Sequence, residues 1–393
     1  MKMTRQFLLV TGALILLSVS LPAQTLVRTV GQTMALPGGA AGKTGCTGIV
    51  TDSAGSPLAG VTVEYWAMAG IPFMTGAPEL KNQTVTTTNG TFAFSEPAAG
   101  GFLVAHKPGL ATIWKQMNQM FGFVQASDEK LQLVLAPPAA LAGVVLDGTG
   151  KPVPHAAVFV SMAVSEMSEE TPGRAFNFIT DRPARESFAA RTDAAGHFRI
   201  ENFPTNATAN LGVQSPGKAL GQTQSAFFRG GSLPWRGGQE DIKLVVEPAG
   251  NVEGKIVVEG ASSPPPIARL TLQPAGPAFF GSGASEPVQS AADGTFRISD
   301  VAAGSYRIRA DFGTNAVSEW VADTAPVTVE SAQTTRDVQV TAAHGGLLEV
   351  AVLSDADHQP LPQIQISAYK MDLQSVARSD SYGIVRLRLS PGE

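Results

Sequence analysis

One phrase occurs four times along this chain and constrains the fold more than any other feature. An acidic residue closes an apolar stretch, and a proline five residues later opens an alternating one. The copies are Asp52-Ser-Ala-Gly-Ser-Pro57, Asp147-Gly-Thr-Gly-Lys-Pro152, Glu259-Gly-Ala-Ser-Ser-Pro264 and Asp355-Ala-Asp-His-Gln-Pro360. The acids lie 95, 112 and 96 residues apart, which is the length of one small domain. At 393 residues the chain exceeds what a single core supports and suits three or four such domains.

Each unit then reads alike. A short apolar stretch, such as Thr47-Gly-Ile-Val50 or Ala142-Gly-Val-Val145, leads into the acid-to-proline turn, whose Gly, Asp and Ser residues suit tight-turn conformations. Alternating pairs follow: Val61 and Val63, Val158 and Val160, Leu270 and Leu272, Ile364 and Ile366. Period-two alternation places each pair on one buried face of a strand. A second turn phrase comes later, as Asn89-Gly90 before Phe92 and Phe94, Asp193 to Gly196 before Phe198, Asp293-Gly294 before Phe296, and Asp380 to Gly383 before Ile384. Asn-Gly or Asp-Gly ahead of an alternating run marks a hairpin feeding a strand. Closing strands recur at Leu131–Leu135, Ile242–Val246 and Val338–Val340. Convincing helical periodicity is absent, so the spacing predicts antiparallel sandwiches.

Taken in order, these phrases give G-x-V, D-x-x-G-x-P-L-x-G-V-x-V, D-x-x-G-x-F and P-x-G-x-Y, a pattern that resembles the carboxypeptidase regulatory-like domain. The resemblance covers about residues 45 to 393. It implies a transthyretin-like (prealbumin) Greek-key sandwich, related in shape to the Cna B-type repeats of bacterial surface proteins. It implies no peptidase activity, because the family takes its name from an accessory domain. The third copy departs from the pattern with three consecutive prolines, and the second replaces the Gly-x-Tyr phrase with Thr205–Leu211. The expected fold class is therefore all-β, with tandem antiparallel Greek-key β-sandwiches, three complete and one C-terminally incomplete.

Lys2 and Arg5 precede an apolar stretch from Phe7 to Val19, and Ala23 offers a small residue for cleavage. That is the layout of a secretory signal, short for a membrane span, with a retained N-terminal anchor as the alternative and no transmembrane segment expected in the mature chain. The expected organisation is a signal peptide at 1–23, a flexible leader at 24–44 and repeats at 45–137, 138–248, 249–343 and 344–393. The second repeat carries a loop insertion, and the last is partial. The fourth copy ends at Ser390-Pro-Gly-Glu393, before the strand that Tyr306 opens in the third. From this we expect the chain to be the N-terminal part of a longer protein. Cys46 is the single cysteine, so no intrachain disulfide forms, and it reads as a small residue at the start of a strand.

A net charge of −5 without long runs of either sign argues against nucleic acid as a partner. The five histidines are scattered, with no His-x-x-x-His pair and no Gly-x-Ser-x-Gly elbow. Ser215-Pro-Gly-Lys218 matches Ser-x-x-Lys by letter, but its Pro-Gly makes a turn rather than a helix. Gly42-Lys43-Thr44 ends like a phosphate loop but lacks the glycine that should stand at Pro37. Asp355 and Asp357 could begin a calcium shell, yet two turn carboxylates are too few. No catalytic residue, metal or cofactor is expected.

Two stretches of the second repeat attract interest as binding elements. One is its extra length around Ser161 to Arg191, with Glu166, Glu169, Glu170, Arg174, Arg182 and Arg185. The other is Phe227-Phe228-Arg229, followed by Trp235-Arg236, on a glycine-rich loop. Aromatic rings beside arginines suit sugar stacking or protein contact. The candidate ligand-binding residues are thus Phe227, Phe228, Arg229, Trp235 and Arg236. One tryptophan recurs in this late region of each repeat, Trp114, Trp235 and Trp320, which favours packing roles for Trp114 and Trp320 and leaves Trp235 open between packing and binding. The expected function is a non-catalytic exported spacer or interaction protein at a bacterial cell surface or in the periplasm, with a polysaccharide or another surface protein as partner. Two alternatives stay open: a carbohydrate-binding module, or the accessory part of a longer surface protein bearing an outer-membrane barrel or an enzyme.

Overall fold

The computed structural model describes residues 46–67, 78–94, 101–117, 131–165, 177–221, 233–260, 266–275, 287–313, 318–355, 357–362, 364–370 and 373–390. The expected signal and leader, the Gly42-Lys43-Thr44 segment and the third acid-to-proline turn beyond Gly260 lie outside these residues. The chain divides into two compact units, one of them Thr44–Gly345 and the other containing Gly346–Glu393.

Within Thr44–Gly345 the first sandwich comprises β1 (Cys46–Asp52), β2 (Thr62–Ala67), β3 (Glu79–Val85), β4 (Thr91–Phe94), β5 (Gly101–His106), β6 (Ile113–Gln116) and β7 (Leu131–Leu135). Its sheets run β4-β1-β7 and β3-β2-β5-β6. The second comprises β8 (Ala139–Asp147), β9 (Ala157–Ser165), β10 (Asn177–Thr180), the helix α1 (Asp181–Ser187), β11 (Ala189–Arg191), β12 (His197–Phe203), β13 (Ala207–Ser215), β14 (Lys218–Leu220), β15 (Trp235–Arg236) and β16 (Ile242–Pro248). Here short β14 joins the two layers, giving the continuous order β10-β9-β13-β14-β16-β8-β12, with β11 on β9 and β15 on β13. The third comprises β17 (Gly250–Val258), β18 (Arg269–Pro274), β19 (Val288–Gln289), β20 (Thr295–Val301), β21 (Gly304–Asp311), β22 (Trp320–Ala322), β23 (Ala325–Val329) and β24 (Thr334–His344). Its sheets are β20-β17-β24-β22 and β19-β18-β21-β23. In the other unit, β25 (Gly346–Ala351) pairs with β28 (Ile384–Leu389), and β26 (Gln365–Lys370) with β27 (Leu373–Arg378).

The architecture is all-β apart from α1. Two features depart from expectation. The closing strands β7, β16 and β24 run parallel to the opening strands β1, β8 and β17, so the sheets are not wholly antiparallel. A long crossover separates each such pair, and only a hairpin connection would force them antiparallel. The second departure is α1, seven residues and too short to print a helical period in the sequence.

The recurring phrases build repeated devices, with the leading acid capping its own turn in the first two copies and Asp357 rather than Asp355 accepting an amide, from Gln359, in the fourth. Asp52 Oδ1 accepts the amides of Ala54 and Ser56, both at 2.9 Å. Asp147 Oδ1 accepts the amides of Thr149 and Lys151 and the Thr149 hydroxyl. The proline that follows forms an isolated bridge back to the first strand in three copies, at Pro57, Pro152 and Pro360. Gly90, Gly196, Gly294 and Gly383 all take positive φ, between 70° and 83°. Each offers its carbonyl to the opening strand, at Val50, Val145, Ile256 and Val352. A Cβ on three of them would meet a backbone carbonyl of that strand within 2.6 Å, so glycine is required sterically as well as for its φ.

Candidate functional site

The one candidate residue group with both described geometry and a concavity is at Trp235. On β15, Trp235 pairs with Ala209 of β13 and lies half-buried. It lines a cleft of about 310 Å³ with Asn210, Leu220, Pro234, Lys243 and Val245. The cleft opens where the strands diverge. β14 reaches β13 only at Gln214 and Ser215, and β15 reaches it only at Thr208 and Ala209. Asn210 stands between those pairings, at a register shift against β9. Phe227, Phe228 and Arg229 lie outside the described residues. Arg236 is exposed and does not line the cleft, since successive residues of a strand point to opposite sides.

The described part of the insertion does something other than offer a loop to solvent. β10, α1 and Phe188 pack against the first sandwich. Phe178 meets Phe102 edge-on at 6.0 Å, while Trp114 meets Phe188 at 5.7 Å and Phe203 at 6.4 Å. Trp66, Phe102, Val104 and Trp114 of the first sandwich belong to the same buried cluster as the core of the second. β5 is buried on both faces: Leu103 and Ala105 belong to the first core, Phe102 and Val104 to the shared one. The Arg182 guanidinium lies 5.5 Å over the Trp66 ring, and that of Arg185 lies 3.8 Å over Phe159. Arg185 thus lies on an aromatic face, whereas Arg182 stays exposed beside Trp66 and pairs with Glu186. Glu166, Glu169, Glu170 and Arg174 lie outside the described residues.

Polar groups complete this joint. The Asn177 carboxamide donates to Trp114 O and accepts from Gln116 N–H, at 2.8 and 2.9 Å, occupying the edge of β6 as a neighbouring strand would. Asn202 donates to Thr112 Oγ1 and Ser187 O, and Thr112 N–H donates to Asn202 O. Beside them Glu64 accepts from Trp66 Nε1 at 2.8 Å and faces His106 at 3.4 Å. The hydrogen bond with His106 holds the Glu64 carboxyl below its ordinary range. A second cleft of about 380 Å³ follows the joint past Trp114 and Val134, but Trp114 there already gives its N–H to Asn177 O.

Hydrogen bonds within the turns also set the carboxylate pKa values. The Thr149 hydroxyl and the Lys151 amide hold Asp147 down to about 2. Amides and hydroxyls likewise depress Asp193, Asp293, Asp357 and Asp380. Among the described residues no group of three or more His, Cys, Asp or Glu side chains could hold a metal. Ser215 and Lys218 pair across the β13–β14 hairpin, a β-turn with Gly217 at positive φ. Cys46 begins β1 in the first core, where burial raises its thiol pKa. Trp320 packs on His344 at 4.1 Å. Among the described residues no helix is long and apolar enough to cross a membrane.

One repeated structural residue escaped the sequence reading. Thr86, Thr192, Ser290 and Ser379 each precede the second turn, and each hydroxyl accepts an amide at the start of the preceding alternating segment: Val61, Ala156, Ala268 and Ile364. Three of them also donate to a carbonyl, of Leu58, Val153 and Leu361. The signal was visible as a hydroxyl residue at one fixed place in all four copies.

No protein-family model and no curated protein matches the chain. Among solved structures it is similar to the Bacillus anthracis TIE protein, at 14% identity over 85% of this chain and 62% of that one, with a TM-score of 0.22. It is also similar to GBS52, the minor pilin of Streptococcus agalactiae, at 13% identity over 53% and 97%, TM-score 0.24. A streptococcal ancillary pilin gives 12% identity over 76% and 99%, TM-score 0.25. The chain thus spans 62% of the length of the first of these proteins, and the all-β architecture rests on its own strand pairing.

Proposed function

We propose that this chain is a non-catalytic, exported spacer of serial prealbumin-like sandwiches, of the carboxypeptidase regulatory-like kind, that holds an interaction surface away from a bacterial cell envelope. The repeats at 45–137, 138–248, 249–343 and 344–393 are its units. The observation that carries this reading is the shared aromatic core between the first two sandwiches. A module that only needs to tether can use a flexible linker, whereas a spacer must transmit position, and a buried interface resists bending where a loose one does not. Export is supported by Lys2 and Arg5 ahead of the apolar Phe7–Val19 stretch.

Spin labels placed on exposed Lys81 and Lys151 test the reading in the full chain. A narrow distance distribution between them, unchanged by moderate urea, is the expected result. A broad distribution across this joint under native conditions would overturn it.

A further inference from the structure

We propose that the cleft at Trp235 binds an acidic sugar residue, of the uronate class. Three polar groups that line it make no side-chain hydrogen bond or ion pair among the described residues. The Asn210 side chain is only 8% exposed, yet its carboxamide makes no hydrogen bond among the described residues. Neither does Trp235 Nε1, and Lys243 forms no ion pair among them. The Asn210 carboxamide is not among the fully occluded, unpartnered polar atoms of the described residues; lining the cleft, it is available to a ligand there. The second repeat retains Asn210 in the wall of a cleft, beside an aromatic ring.

The chemistry of the lining selects the ligand. The flat indole, with Leu220, Pro234 and Val245 around it, presents apolar surface to the C–H face of a pyranose. A carboxamide offers a donor and an acceptor together, which suits two neighbouring hydroxyls. Lys243 supplies one positive charge, and no Asp or Glu is found among the described lining residues, so a carboxylate substituent is favoured over a neutral one. The volume sits at the lower end of the usual range of about 300–1,000 Å³ for ligand sites, which fits one sugar unit of a chain better than a whole oligosaccharide. The protein carries a net charge of −5, so indiscriminate attraction of polyanions does not explain such binding.

The test is calorimetric titration of the full chain with tri-galacturonate, and with neutral maltotriose as comparator. Saturable binding of the acidic trisaccharide is expected, weakened at least tenfold in Trp235→Ala and Asn210→Ala. Lys243→Gln, an exposed substitution that leaves the fold intact, should weaken it several-fold and flatten its salt dependence. Melting curves confirm that each variant is folded, and if Trp235→Ala is not, Lys243→Gln and Asn210→Ala carry the test. Absence of saturable binding at millimolar ligand would overturn the site. Binding untouched by all three substitutions would overturn it equally, and equal affinity for maltotriose would overturn the acidic assignment. These outcomes are independent of the stiffness measured across Lys81 and Lys151.

Discussion

Replacing Thr192 by valine removes one atom's chemistry and almost no volume. Thr192 is 3% exposed. Its hydroxyl accepts from Ala156 N–H at 2.8 Å and donates to Val153 O at 2.7 Å. Valine keeps the shape and the β-propensity but leaves both backbone groups without this partner. Each unsatisfied buried group costs about 1–3 kcal/mol, and some relaxation is available, so we expect a loss of about 3 kcal/mol. Serine is the opposite control. It keeps both hydrogen bonds and loses one buried methyl, worth about 1 kcal/mol. If the first two sandwiches melt together as roughly 200 residues, 3 kcal/mol corresponds to a fall of about 6–12 °C in Tm, against about 2–4 °C for serine. Differential scanning calorimetry of the full chain reads both. A Thr192→Val variant as stable as Thr192→Ser would refute the hydroxyl's role and leave Thr192 as packing alone.

The other predictions concern the joints and the turns. Trp114→Ala should cost about 3–5 kcal/mol and separate one calorimetric transition of the first two sandwiches into two; a single unshifted transition would count against the shared core. Asp300→Ala removes the acceptor of Gly217 N–H at the second joint (2.8 Å) and should broaden label distances between the second and third sandwiches without changing those between the first and second. Depressed turn carboxylates bind fewer protons folded than unfolded, so their contribution is present above the unfolded value near 4 and is lost as pH falls. For Asp147 that window runs from about 4 down to about 2. Tm measured between pH 2 and 6 should drop there, and Asp147→Asn, which keeps the amide acceptor but not the charge, should flatten part of the drop.

Much of the fold was legible because it is encoded locally. Asp147 and Gly196 announce their turns by residue type, and Val158 and Val160 announce a buried face by alternation. What was not legible depends on residues far apart. Nothing local distinguishes a closing strand parallel to its partner from an antiparallel one, since both show period two, and Ile242 meets Gly143 across nearly the whole repeat. The insertion was misleading for a physical reason. Its charges, among them Arg182 and Arg185, read as a binding element, but long cationic side chains can lie on aromatic faces of their own protein, as Arg185 does on Phe159. The candidate cleft was half legible. Trp235 stood out in a glycine-rich segment, whereas Asn210 and Lys243 come from β13 and β16, and only the fold brings them to one wall.

The two joints of the Thr44–Gly345 unit use different physics, and the difference follows from the insertion. At both, the connection is short: Ala136-Pro-Pro138 before β8, and Ala249 alone before β17. Linker length therefore does not set their stiffness. At the first joint the insertion adds Phe178 and Phe188 to Phe203 and closes them over Trp66, Phe102 and Trp114. Opening that joint would expose rings that each bury about 150–250 Å², several kcal/mol apiece at about 25 cal/mol per Å². At the second joint the third sandwich keeps its own core, and the contacts across it include Gly217 N–H to Asp300 and Ser331 Oγ to Pro248 O. Two such hydrogen bonds are worth about 1–3 kcal/mol net, a bias of only about 5- to 150-fold toward the closed arrangement. An insertion of 11 to 14 residues in one repeat thus ties an ordinary tandem pair together through one shared core, and compliance passes to the joint that lacks one.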